Sequence, residues 1–130
     1  MESKSNGALR FENGIEAEIQ AQRYLEGFYE VVERVNALID FVVDHNQPVE
    51  VKSCQARIKR CDAKRRSKNG RFKLKLTQHT YLLENNGLYL FVVSYEDKRS
   101  RILLMPAKLL PFQKQYSWYR VFHGGFFNGL

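Results

Sequence analysis

The feature that most constrains this chain is a pair of alternating stretches on either side of a polar turn. Every second residue is apolar in both stretches, at Ile39, Phe41 and Val43 and again at Val49 and Val51. The turn between them is polar and ends at Pro48. Alternation with a period of two predicts two strands, over 38–44 and 49–53, that form a β-hairpin with one core-facing side. With the loop centred on His45, Asp40 lies opposite Glu50 and Leu38 opposite Lys52.

The other face of this hairpin carries the chemistry. Asp40 and Glu50 would face each other there, and two like charges in that position cost up to about 1 kcal/mol unless a cation lies between them. Carboxylate oxygens on rigid strands suit Mg²⁺, with Mn²⁺ as a substitute. Lys52 follows Glu50 on the same face, about 7 Å along the strand, where it can reach a phosphate oxygen. The sequence therefore predicts a metal site beside a lysine.

An acid followed by Glu-x-Lys, here Asp40 and then Glu50-Val51-Lys52, resembles the minimal motif of the PD-(D/E)XK nucleases. The segments Gly14-Ile15-Glu16-Ala17-Glu18, Tyr24-Leu25-Glu26 and Val31-Val32 are similar to the opening helix and first strand of the small archaeal Holliday junction resolvases. The second resemblance covers about residues 14–53.

The resemblance implies a Mg²⁺-dependent endonuclease that hydrolyses DNA phosphodiester bonds, in branched or structured DNA, and leaves a 5′-phosphate. Asp40, Glu50 and the backbone carbonyl of Val51 would hold the ion. Lys52 would orient or deprotonate the attacking water and stabilise the transition state. Sequence-specific, mismatch or defence-related cleavage by the same fold is an alternative, and so is a nucleic-acid-binding module without catalysis.

Two further site residues rest on the resemblance. An acid on the first helix completes the metal site of the resolvases, and Glu18 is the matching position, with Glu16 as the weaker candidate; an ordinary solvated helix acid is the alternative for Glu18. Gln78, followed by Tyr81, resembles a glutamine motif of Mrr-like and RecB-like nucleases and would orient a water or a phosphate. A plain first-turn helix residue is the alternative for Gln78.

Positive charge is concentrated in residues 57–75, where ten basic side chains are opposed by Asp62 alone. The ten are Arg57, Lys59, Arg60, Lys64, Arg65, Arg66, Lys68, Arg71, Lys73 and Lys75. The rest of the chain is slightly acidic, although the whole carries a formal charge of +7. A concentrated basic segment favours a polyanion as partner, most commonly nucleic acid. A solvated basic loop or a localisation signal is the alternative.

Patterns elsewhere predict helices and strands in mixed order. Helical spacing predicts a first helix over 14–28, capped by Asn13, and a short strand follows at 31–35. Alternation predicts a strand at 71–76 after a turn at Asn69-Gly70. Thr77 would cap a helix over 78–84 that ends at residues 85–87.

The last third of the chain adds strands. A continuous apolar run at 88–93 predicts a strand covered on both faces. Further strands are expected at 101–105 and 117–122, with a short turn or helix at 106–111. The resulting class is α/β, a restriction-endonuclease-like mixed sheet flanked by helices in the order αβββαβ.

The length of 130 residues indicates one domain, and no apolar run is long enough to cross a membrane. We therefore expect a cytoplasmic protein without a membrane partner. The C-terminal apolar residues either form a homodimer surface, as the resemblance to resolvases implies, or close the domain's own core. They are Trp118, Tyr119, Val121, Phe122, Phe126, Phe127 and Leu130. His45, His79 and His123 are expected at turn, helix-surface and tail positions outside the site.

Overall fold

The computed structural model describes residues 6–35, 38–58 and 68–126, with side chains from Gly14 onward. Its centre is a mixed sheet of five strands. In their order across the sheet, they are β1 (Val32–Arg34), β2 (Phe41–Val43), β3 (Gln47–Gln55), β7 (Leu88–Ser94) and β8 (Ser100–Pro106). β3 and β7 pair in parallel, whereas the other neighbours are antiparallel. This arrangement confirms the predicted class.

Helices α1 (Asn6–Glu26) and α2 (Leu76–Glu84) flank the sheet, and a short helix α3 (Trp118–His123) lies near the C-terminus. Two small antiparallel pairs complete the fold, β4 (Arg57–Ile58) with β5 (Lys68–Asn69) and β6 (Arg71–Lys73) with β9 (Gln115–Ser117). A 3-10 helix spans Ala107–Leu109, inside the stretch 106–111 for which the sequence predicts a short turn or helix. Among the residues described, no helix combines the length and the apolar character needed to cross a bilayer.

Strand β7 divides the core into two clusters. Tyr89, Phe91 and Val93 belong to the cluster that also contains Leu82 of α2. The alternate residues Leu88, Leu90 and Val92 belong to the cluster that contains Ala17, Ala21 and Leu25 of α1. All six strand residues are buried, as the continuous apolar run predicted. The two helices therefore cover opposite faces of the sheet.

The N-terminal helix is longer than its sequence pattern indicated. It begins at Asn6, so Asn13 is not its cap, and it ends at Glu26 rather than at Phe28. One asparagine or glycine inside a helix costs at most about 1 kcal/mol, which is too little to end it. Phe28 is 69% exposed, so the helical spacing extended the predicted apolar stripe by one residue too many.

Residues 69–77 differ from the expected turn, strand and cap. Asn69 lies in β5, and Gly70 is not in a turn but donates its N–H to the Ala56 carbonyl at 3.3 Å. A Cβ at Gly70 would lie 1.8 Å from the Gln55 carbonyl oxygen, so close backbone approach requires glycine there. Phe72 and Leu74 are buried as predicted, but Leu76 begins α2 and is 62% exposed. Thr77 therefore lies inside the helix, and Lys75 is the N-cap residue.

The predicted last strand, 117–122, is wrong, because Trp118–His123 forms a helix. The Ser117 hydroxyl accepts the Arg120 N–H at 3.3 Å, which caps that helix. Trp118 and Val121 are three residues apart, lie on one helical face and are buried in the domain's own core. Phe122 and Phe126 pack against the same cluster. Phe127 and Leu130 lie outside the described residues.

Candidate active site

The hairpin has the predicted register. Phe41 pairs with Val49 and Val43 with Gln47, which places the centre of the loop at His45. Asp44 and His45 take positive φ angles of 48° and 70°, a conformation that polar turn residues tolerate. Strand β3 also includes Gln47 and Pro48, which the sequence assigned to the turn. Asp40 lies one residue before β2, and its Oδ2 accepts the Val51 N–H at 2.9 Å.

The apolar side of this hairpin is split between the two cores. Phe41, Val43 and Val49 pack with α1, and Val51 lies partly buried against them, as the alternation predicted. Ile39 belongs instead to the cluster on the α2 side. The alternation fails there because residues 38–40 form a bend outside the strand.

Glu50 lies in the interior of the site. It is 4% exposed and pairs in the β3–β7 ladder with Tyr89, which is fully buried. Its Oε1 has no hydrogen-bond partner among the described groups. Burial above all, together with the neighbouring Asp40 carboxyl, raises the pKa of Glu50 from 4.5 to about 8, although Lys52 opposes the shift. The buried Glu50 carboxyl thus lies beside the half-buried Asp40 carboxyl, and one of its oxygens lacks a donor among the described groups.

Lys52 and Gln78 complete this cluster. The Lys52 Nζ lies 3.0 Å from Glu50 Oε2 and donates a 2.8 Å hydrogen bond to Gln78 Oε1. The Gln78 Nε2 in turn donates to the Leu38 carbonyl at 2.9 Å. Gln78, on the first turns of α2, therefore connects the lysine of β3 to the bend that carries Asp40. Tyr81 is 37% exposed on the same helix.

The donor set fits a small divalent cation. The unpartnered Glu50 Oε1 and the adjacent Asp40 carboxyl are hard oxygen ligands, which Mg²⁺ and Mn²⁺ prefer. The described residues contain no group of three or more His, Cys, Asp or Glu side chains that could hold a metal. Two protein carboxylates are nevertheless a usual number for Mg²⁺, which completes its shell with water and phosphate.

The structure does not bring Glu18 to these residues. Glu18 forms an ion pair with Arg34 of β1, and its side chain is 32% exposed. Its helix packs on the face of the sheet opposite to that of α2, the helix whose Gln78 holds Lys52. Glu16 is exposed on the same helix. The role of Glu18 in metal binding therefore stays a prediction from the resemblance.

The described part of the basic segment lies largely at the surface. Arg57, Arg71, Lys73 and Lys75 are exposed, and Lys68 is half-buried. The other five predicted nucleic-acid contacts lie outside the described residues: Lys59, Arg60, Lys64, Arg65 and Arg66. The segment begins in β4, which pairs with β5, and continues into β6, where Arg71 and Lys73 flank the buried Phe72.

His79 is the residue near the site that sequence reasoning missed. It is 3% exposed rather than on the helix surface, and its Nδ1 lies 2.8 Å from the Tyr89 hydroxyl. Burial lowers the pKa of His79 and raises that of Tyr89. Leu82, three residues further along α2, is also buried and could have indicated this face. His45 lies in the turn and His123 at the end of α3, both exposed, as expected for residues outside the site.

The family model described as PD-(D/E)XK nuclease superfamily domain matches residues 2–123, which is nearly the whole chain. The chain belongs to the PD-(D/E)XK nuclease superfamily. No curated protein and no solved structure matches it. The superfamily prediction is thus confirmed, whereas the likeness to Holliday junction resolvases remains a hypothesis.

Proposed function

We propose that this nuclease domain is a metal-dependent endonuclease that hydrolyses phosphodiester bonds in branched or structured DNA. The observation that carries the proposal is the buried Glu50, which has one oxygen without a donor among the described residues, lies beside Asp40 and pairs with Lys52. Burying a carboxyl group without enough hydrogen-bond donors costs free energy when the chain folds. This cost favours a site that binds a cation over a purely structural ion pair.

Asp40, Glu50 and the Val51 carbonyl would hold one Mg²⁺ or Mn²⁺ ion, with Glu18 assisting directly or through water. When bound, the ion supplies Lewis-acid stabilisation of charge on the phosphate and makes an adjacent water easier to deprotonate. Asp40 is prepared for this role because the Val51 N–H already orients its carboxylate.

Lys52 is the cation that this chain itself provides. Its ammonium group orients the attacking water and stabilises negative charge that develops on the phosphate oxygens. Gln78 fixes the lysine by accepting its hydrogen bond. Attack on phosphorus breaks the bond to the 3′ oxygen, so the products carry a 5′-phosphate and a 3′-hydroxyl, as the family resemblance implies.

Cleavage assays test the proposal. The purified protein is incubated with supercoiled plasmid, four-way junction, flap, duplex and single-stranded DNA, at matched salt, with Mg²⁺, with Mn²⁺ or with EDTA. We expect metal-dependent cleavage that Asp40→Asn abolishes while binding persists. Glu84→Gln, at the exposed end of α2, is the matched control and should cleave normally. Binding without cleavage of any substrate would instead indicate a non-catalytic nucleic-acid-binding module.

A homodimer is part of this proposal, because paired cuts in a junction need two active sites. Burial of Trp118 and Val121 in their own domain favours the alternative in which the C-terminal segment closes the core. Tyr119 of the same helix is 55% exposed and remains free to contact a partner. Sedimentation at micromolar concentration, with and without junction DNA, tests the assembly, and a protein that stays monomeric on the junction contradicts the resolvase-like function.

A further inference from the structure

A groove lies between β6, β9 and α3, away from the carboxylate site. Its volume is about 200 Å³, and it is lined by Arg71, Gln113, Gln115, Tyr116, Ser117 and Arg120. A water molecule takes about 30 Å³ of liquid, so a phosphodiester group has room there. Apart from the buried Tyr116 ring, the lining consists of guanidinium, amide and hydroxyl groups.

Both guanidinium groups of the groove lack an acidic partner among the described residues. Arg71 Nη1 makes a long, 3.4 Å contact with Gln115 Oε1. The Arg120 guanidinium lies over the Tyr116 ring, 5.5 Å from its centre. Arg34 and Arg99, by contrast, pair with Glu18 and Asp97. The groove arginines are thus held in place by neutral groups, which leaves their charge available to an anion.

The sequence around the groove is free of acids. Residues 98–130 contain neither Asp nor Glu but carry six cations: Lys98, Arg99, Arg101, Lys108, Lys114 and Arg120. Residues 63–83, which include β6, also lack acids. Because β6 pairs with β9, the structure brings these two acid-free segments together. Such a surface has a local positive potential that the net charge alone does not describe.

A row of cations connects the groove with the candidate active site. Arg71, Lys73 and Lys75 are exposed at alternate positions, whereas Phe72 and Leu74 between them are buried. Lys75 is still extended, with φ −108° and ψ 133°, and directly precedes the helix that carries Gln78. The row therefore spans about 13 Å of extended chain between the groove and the helix start.

We infer that this groove, with Arg71 and Arg120 as its two cationic groups, binds a backbone phosphate of the nucleic acid that flanks the cut site. The inference rests on the proposed function and extends it, because it assigns substrate contact to the C-terminal segment in addition to the basic segment at 57–75. Contacts of this kind position the substrate without reading its sequence.

The test measures binding apart from cleavage. In the Asp40→Asn background and in EDTA, fluorescence anisotropy of a labelled duplex is recorded over a series of KCl concentrations. Arg71→Gln and Arg120→Gln should each weaken binding and reduce the slope of log K against log salt by about 0.9, the value of one lost phosphate contact. Arg23→Gln, on the exposed side of α1, is the matched control and should leave the slope unchanged.

Arg120→Lys separates charge from packing, because it keeps the cation while altering the contact with Tyr116. Restoration of the slope by lysine supports the phosphate contact. An unchanged slope in both glutamine variants, with melting temperatures equal to that of the parent protein, overturns the inference. Polyglutamate can be added as a competing polyanion that displaces the labelled duplex. If it displaces the duplex equally from the parent protein and from both variants, and their DNA affinities are also equal, the inference is overturned. If the parent protein with metal cleaves none of the DNA substrates, but the two glutamine variants still change the salt slope, the proposed function is contradicted and the phosphate contact is supported.

Discussion

Two corners of this domain each contain a glutamate paired with a cation, and they differ in what surrounds the pair. At the α1–β1 corner, Glu18 and Arg34 are 32% and 57% exposed in their side chains. At the β3–α2 corner, Glu50 and Lys52 are 5% and 14% exposed. Water can satisfy the remaining lone pairs of Glu18, whereas one oxygen of Glu50 is buried and has no donor in the part of the chain that the structure describes. An acid thus becomes a candidate ligand through unmet hydrogen bonding, more than through its place in a motif.

The same chemical change at the two corners gives the sharpest contrast. Glu50→Gln should reduce the cleavage rate about 1000-fold or more, equivalent to about 4 kcal/mol of transition-state stabilisation. Glu18→Gln should reduce it less than about tenfold if the Arg34 pair is its main role, and Arg34→Gln should then match it. Single-turnover cleavage of one DNA substrate measures all three. A loss at Glu18 as large as that at Glu50 would indicate that Glu18 binds the ion directly rather than through water.

Removal of the lysine and of its anchor separates chemistry from positioning. Lys52→Met should slow cleavage about 100-fold, since it removes a positive charge from the transition state. Gln78→Ala should slow it about tenfold, the usual size of a supporting contact around a metal site. Both effects should appear in the maximal rate rather than in DNA affinity, measured by anisotropy. A Gln78→Ala variant that loses affinity but keeps its rate would place the amide on the substrate instead.

The raised pKa of Glu50 predicts how stability depends on pH in metal-free protein. The folded state holds a proton up to a pH of about 8, whereas the unfolded chain releases it near 4.5. The free energy of unfolding should therefore fall as pH rises through this window, by up to about 1.4 kcal/mol per pH unit.

Glu50→Gln should remove that part of the slope. Urea unfolding of parent and variant between pH 4.5 and 8, in EDTA, measures the difference. Comparison of the two proteins cancels the contribution of His79, whose lowered pKa acts in the opposite direction. Identical slopes would mean that Glu50 is ionised in the folded protein throughout the range.

The smallest expected effect belongs to the exposed corner. A double-mutant cycle with Glu18→Gln and Arg34→Gln should give a coupling of at most about 1 kcal/mol in thermal or urea unfolding, because solvent screens the pair. The coupling should shrink further in 1 M salt. A larger coupling that salt does not reduce would show that the Glu18–Arg34 pair is shielded from solvent, as the Glu50–Lys52 pair is.

The hairpin and its carboxylates could be predicted because alternation fixes register: shifting Glu50 by one residue would expose Val49 and Val51. Strand β7 could be predicted because only a doubly covered strand tolerates six consecutive buried residues. The helical structure of α3 could not be predicted, because Trp, Tyr, Val and Phe favour strands locally. Burial of Trp118 and Val121 on one helical face outweighs that preference. Gly70 indicated a turn, yet its role is set by the Gln55 carbonyl, a tertiary contact.

The Gln78 amide, which reaches both Lys52 and the Leu38 carbonyl, has a consequence for how this nuclease matures. The chain up to the end of β3 already contains Asp40, Glu50 and Lys52. The Gln78 amide that holds Lys52 lies 26 residues after that lysine. Contacts over such separations form after local ones, because loop closure must come first. The arrangement that we propose cuts DNA is therefore complete only once α2 has docked against the sheet.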